Sequence, residues 1–190
     1  MMASRRFAVA VFAFGCAACE PCLAHGFAGS GWLHPLTGLD HMLAMLAVGA
    51  WSAQLGGRAL YLVPMAFVLA MALGSVAGVQ QWPITGTESA IALSVLGLGG
   101  AIAMQTRLAW PIAAVATMLF GMAHGYAHGA EMPQAADMAS YVAGFLVTTA
   151  GLHVTGAIAG LLMLEQFHGR IGLRAAGAAV ALAAMALMAH

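Results

Sequence analysis

Six long stretches almost free of charge constrain this chain more than anything else in it: residues near 36–54, 59–80, 87–106, 108–128, 138–164 and 171–189. A helix that crosses a bilayer needs about 20 mostly apolar residues, and each stretch comes close to that length. In hydrocarbon every backbone N–H and C=O must be satisfied internally, which leaves helices or closed barrels. These runs are too long and too continuously apolar for the alternating strands of a barrel. The expected fold is an all-α integral membrane protein, a six-helix transmembrane bundle. Composition agrees, with 63% apolar and 6% charged residues where a soluble domain carries about 25% charged. The connections are short, leaving no soluble domain among these segments, and no internal repeat is evident.

Residues 1–24 read as a cleavable signal peptide. Arg5 and Arg6 precede an apolar run from Phe7 to Ala18, and Cys22-Leu23-Ala24 place small residues three and one before a cut. That apolar run is too short to span. Cleavage would make His25 the new amino terminus and leave 25–190 as one six-span domain. The three cysteines, Cys16, Cys19 and Cys22, all fall in the leader. The mature chain then has no thiol for a disulfide, a zinc knuckle or a nucleophile, and its chemistry rests on histidine and carboxylate. The chain has no lysine, and its six arginines balance its six acids, so nothing suggests a nucleic-acid partner.

Short cytoplasmic loops collect positive charge. With the mature amino terminus exported, the loops after the first, third and fifth spans are internal. Arg58, Arg107, Arg170 and Arg174 all fall there. Asp40, Glu88, Glu131 and Asp137 sit at the opposite ends of the spans, and only Glu165 joins the arginines. This places both termini of the mature chain on the outer, periplasmic side.

Two polar stretches interrupt the apolar pattern near that outer face. In HPLTGLDH, residues 34–41, Pro35 suits a first helical position. Asp40 and His41 then project from the first turns, and His34 can fold back beside His41. In HGYAHGAE, residues 124–131, a rotation of about 100° per residue puts His128 and Glu131 within roughly 40° of His124 on one helix face. Glu88 opens the third span, either as a ligand or as a first-turn acid favoured by the helix dipole. His153, deep in the fifth span, is either an interhelical hydrogen-bond donor or a site further along a path. An ionisable group at the centre of a span costs about 2.5–3.5 kcal/mol on insertion scales, so a cluster of them calls for a function. Neutral imidazole with carboxylate and no thiolate suits borderline divalent metals such as nickel, cobalt or zinc. The fourteen methionines read as filling of apolar faces.

HPLTGLDH in the first span, together with HGYAHGAE in the fourth, resembles the HupE/UreJ family of nickel transporters. Where the family pattern has Phe-His-Gly, Met122-Ala123 here separate Phe120-Gly121 from His124-Gly125. The resemblance extends over the whole mature chain. It implies an inner-membrane permease with a cleavable leader, six helices and a link to hydrogenase or urease maturation. It points to His34, Asp40, His41, Glu88, His124, His128 and Glu131 as metal-binding residues, and His153 is added as the next receiver of the ion.

The expected function is therefore import of divalent nickel, or cobalt, from periplasm to cytoplasm across the lipid bilayer. The ion is the transported substrate, no cofactor is tightly bound, and the protein is not an enzyme. Self-association is an open expectation. The alternative is an intramembrane metal-dependent hydrolase, in which a histidine and carboxylate site activates water with Glu131 as base. No HExxH pattern supports that alternative.

Overall fold

A computed structural model describes residues 31–166 and 168–189. The leader with its cysteines, His25 and the terminal His190 lie outside the described residues. Seven helices are present among those described: α1 His34–Thr37, α2 Leu39–Leu55, α3 Ala59–Val79, α4 Thr87–Ala103, α5 Trp110–Ala130, α6 Met138–Leu164 and α7 Gly169–Met188. The all-helical expectation holds. By length and composition α3, α6 and α7 are long and apolar enough to cross a membrane, and α4 is a shorter apolar helix. At about 1.5 Å per residue, the 17 residues of α2 or of α4 cover only about 25 Å.

The boundaries explain that shortness. The first apolar stretch does not continue the helix that Pro35 opens, because Gly38 is extended at φ −91° and ψ 116° and separates the short α1 from α2. The expected start near residue 36 therefore moves to Leu39. At the far end of α4 the chain stops helical rotation at Ala103 and turns through Gln105, a non-glycine residue at φ 54°.

Glycines set the register between helices. A Cβ on Gly121, Gly125 or Gly129 of α5 would strike the carbonyls of Phe67, Met71 or Ser75 on α3. A Cβ on Gly74 or Gly78 would strike those of Met122 or Tyr126 in return. The paired numbers rise together, so α3 and α5 run parallel with backbones in contact. Gly49 against His153 and Gly156 against Leu46 bring α2 and α6 equally close. Gly99 faces Gly177 and Ala181, whereas Gly177 faces Ile102 and Ala103, which makes α4 and α7 antiparallel. Small residues permit such approach where apolar burial cannot drive helices together.

The connections sort to two ends of the bundle. Trp51 Nε1 donates to Thr106 O at 3.2 Å, Gln54 Nε2 to Ile102 O at 3.1 Å and Arg174 Nε to Ala103 O at 2.9 Å. These bonds gather the end of α2, the end of α4 and the start of α7, the neighbourhoods of the four arginines. At the other end Gln81 Nε2 donates to Ala130 O at 3.1 Å, and the Tyr126 hydroxyl donates to Trp82 O. Asp137 also lies at that end, capping α6 by accepting from Ser140 N at 2.8 Å. Large apolar side chains such as Leu69, Leu73, Leu119, Leu162 and Leu182 are exposed, while Ser52, Ser75, Ser94, Thr117, Thr149, His124, His128 and His153 are buried. That inversion fits a surface surrounded by lipid rather than by water.

Candidate functional site

The Gly38 break gives HPLTGLDH its shape. A Cβ at that glycine would come within 3.0 Å of Asp40 Oδ1 and 3.1 Å of His41 Nδ1, so the missing side chain leaves room for that pair. Asp40 Oδ1 accepts from the His41 backbone N–H at 2.7 Å and from His41 Nδ1 at 2.9 Å. On the other motif, α5 ends at Ala130 and Glu131 follows as its cap. Glu131 still reaches the cluster, with Oε2 2.7 Å from His34 Nε2. Through that bond His34 holds the Glu131 carboxyl below the ordinary carboxylate range, against the opposing pull of partial burial.

The two motifs meet ring to ring. His128 lies between the two histidines of the first motif, with centroids 4.7 Å from His34 and 4.8 Å from His41, both edge-on. His41 also meets His124 edge-on at 4.9 Å. His34 therefore neighbours His128 rather than folding back directly onto His41. Phe145 of α6 stacks on His128 at 5.0 Å and 13°, and Phe67 of α3 tilts against His124 at 5.3 Å. His153 lies deeper, edge-on to Phe67 at 5.0 Å. Among the described residues, no three His, Cys, Asp or Glu groups converge closely enough to hold an ion at one point. The rings stand in a row rather than in a closed shell.

Hydrogen bonding fixes the tautomers along this row. Phe120 O can only accept, so His124 Nδ1, 3.0 Å away, carries the hydrogen and Nε2 keeps the lone pair. The ionised Asp40 likewise takes the Nδ1 hydrogen of His41, leaving His41 Nε2 free, and Glu131 takes the Nε2 hydrogen of His34. Among the described residues, six buried ring nitrogens have no partner: Nε2 of His41 and His124, and both nitrogens of His128 and of His153. An unsatisfied buried polar atom costs about 1–3 kcal/mol, which a packed apolar side chain would not incur. At His41 and His124 one nitrogen is anchored to an oxygen and the other is bare, which is how proteins present imidazole to a metal.

Glu88 is not drawn in. It is exposed in the first turn of α4, and its carboxylate forms no ion pair among the described residues. A first-turn acid beside a helix dipole explains it. Sequence reading passed over Gly38, Phe67 and Phe145. The two phenylalanines sit in apolar runs that carry no local polar signal, while Gly38 stood in plain view inside the motif.

The sequence family described as HupE / UreJ protein matches residues 6–187. This chain belongs to the HupE/UreJ family. Protein HupE of Rhizobium leguminosarum bv. viciae is 43% identical over 176 residues, covering 88% of this chain and 91% of that protein. No solved structure matches. The matched residues cover both histidine motifs and the described helices up to the penultimate residue of α7.

Proposed function

We propose that this family member is an inner-membrane permease that carries divalent nickel, or cobalt, from periplasm to cytoplasm. The observation that carries the reading is the set of unpartnered buried ring nitrogens on His41, His124 and His128, rings that with His34 meet edge to edge at one end of an apolar bundle. Capture uses His34, His41, His124 and His128, with Asp40 and Glu131 orienting two of the rings, and His153 receives the ion deeper in. A row suits cargo better than a closed shell, because a transported ion must be bound well enough to enter and weakly enough to leave. Thiolate is not among the donors, and nitrogen donors favour late first-row dications over magnesium.

In this reading residues 1–24 are removed as a signal peptide and all six long helices cross the membrane. The arginine-bearing end faces the cytoplasm. The family link favours supply of nickel to hydrogenase or urease, with no catalysis by the chain itself. Cells producing the protein should accumulate radioactive nickel above an empty-vector control. His41→Ala or His128→Ala should return accumulation to the control level with the amount of protein in the membrane unchanged. Normal accumulation by His41→Ala would overturn the capture site.

A further inference from the structure

Deeper in the bundle lies a second group of donors. His153 is 2% exposed, and neither ring nitrogen has a protein partner. Thr149 precedes it by four residues on α6, which places the two within roughly 40° on one face and about 6 Å apart along the axis. Five serine and threonine side chains are buried among the described residues, and Ser52, Ser75, Ser94 and Thr117 each bond back to a carbonyl of their own helix. Thr149 does not. Its hydroxyl points across the bundle, 3.3 Å from Met45 Sδ on α2 and 3.5 Å from Met71 Sδ on α3. Its single hydrogen can serve one sulfur at a time, so the other thioether keeps its lone pairs unengaged. Both methionines are fully buried.

Filling of apolar space accounts for methionine in a core. It does not account for two sulfurs and a hydroxyl turned toward one another, one helical turn from an imidazole with two bare nitrogens. Phe67 touches both groups, tilted against His124 at 5.3 Å and edge-on to His153 at 5.0 Å. From this placement we infer that His153, Thr149, Met45 and Met71 form a second metal station, deeper in the bundle than the outer row. The station takes late first-row transition-metal dications and disfavours magnesium and calcium, whose preferred donors are all oxygen. It rests on the permease reading for its place on a path, but not for its ability to bind.

The test uses the full chain in lipid nanodiscs with nickel chloride or cobalt chloride as the probe. Equilibrium dialysis should count two ions per parent chain, and metal-edge X-ray absorption should show sulfur among the neighbours of one. The combined variant Met45→Leu and Met71→Leu, which conserves volume, should lose the sulfur signal. His153→Phe should bind one ion fewer. The combined variant His41→Ala and His128→Ala should keep the sulfur-bearing ion. No sulfur signal in the parent, or full stoichiometry in His153→Phe, would overturn the station. In inside-negative vesicles His153→Phe should slow nickel uptake at least about tenfold. Uptake at the parent rate by that variant would sink the station and leave the permease standing. Empty parent vesicles with the sulfur-bearing ion present would sink the permease and leave the station standing.

Discussion

At the scale of single residues, the two carboxylates of the motifs act on imidazoles. Asp40 accepts both the backbone and ring hydrogens of His41, and Glu131 accepts from His34. Asp40→Asn keeps the shape but removes the charge that selects the His41 tautomer. Its nickel affinity, measured by titration of purified protein, should fall about 10–100-fold. An unchanged affinity would mean the pair is structural only. Glu131 is a different case. Its carboxyl is held below the ordinary value, so its pairing is fully present above that value and is lost only as pH falls through the lower, folded one. Glu131→Gln should therefore lower uptake without moving the shape of the pH curve between about 5.5 and 7.5, where unperturbed histidine titrates near 6.5. The histidines and acids of this site were legible in the sequence because charge is conspicuous in apolar helices. Their division of labour was not, since nothing in HPLTGLDH states that Asp40 faces His41 rather than an ion.

At the scale of helices, contact between backbones decides stability. Gly125 of α5 lies against Met71 O, and Gly151 of α6 has open space around its missing side chain. Gly125→Ala should separate α3 from α5 and destabilise the protein by about 1–3 kcal/mol, the usual cost of overpacking. Gly151→Ala should be neutral or slightly stabilising through helix propensity, by up to about 1 kcal/mol. Thermal unfolding of the two variants in detergent, side by side, checks both; a Gly125→Ala protein as stable as the parent would mean the pair can spread without loss. Spacing of glycines by four announces close packing but not the partner. That α3 pairs with α5 and α2 with α6, rather than each with its sequence neighbour, depends on contacts dozens of residues apart. The short α2 was equally hidden, because Pro35 starts a helix readily and only the extended Gly38 ends it.

At the scale of the molecule, the arginines gather at one end and the histidine row opens near the other. The alternation of apolar runs and loop charges was enough to anticipate this sorting, since it is a property of the whole chain rather than of any contact. With the arginine end cytoplasmic, a carboxyl-terminal alkaline phosphatase fusion should be active and a green fluorescent fusion dark; the reverse pattern would invert the direction assigned to transport. Direction then follows from charge. A dication moving toward a negative interior gains about 4.6 kcal/mol per 100 mV, twice the value for a single charge. At one decade per 1.4 kcal/mol, that corresponds to an equilibrium accumulation of roughly a thousandfold or more. Purified protein in vesicles with an inside-negative potential of about 100 mV should concentrate nickel with no nucleotide and no substrate to cleave. Collapsing the potential should release the excess until the two sides are equal, because binding sites alone set no gradient. Cobalt should compete for entry and magnesium should not. A hydrolase built on the same histidines would bind the metal but leave the vesicle interior empty at every potential, and that result would end the permease reading.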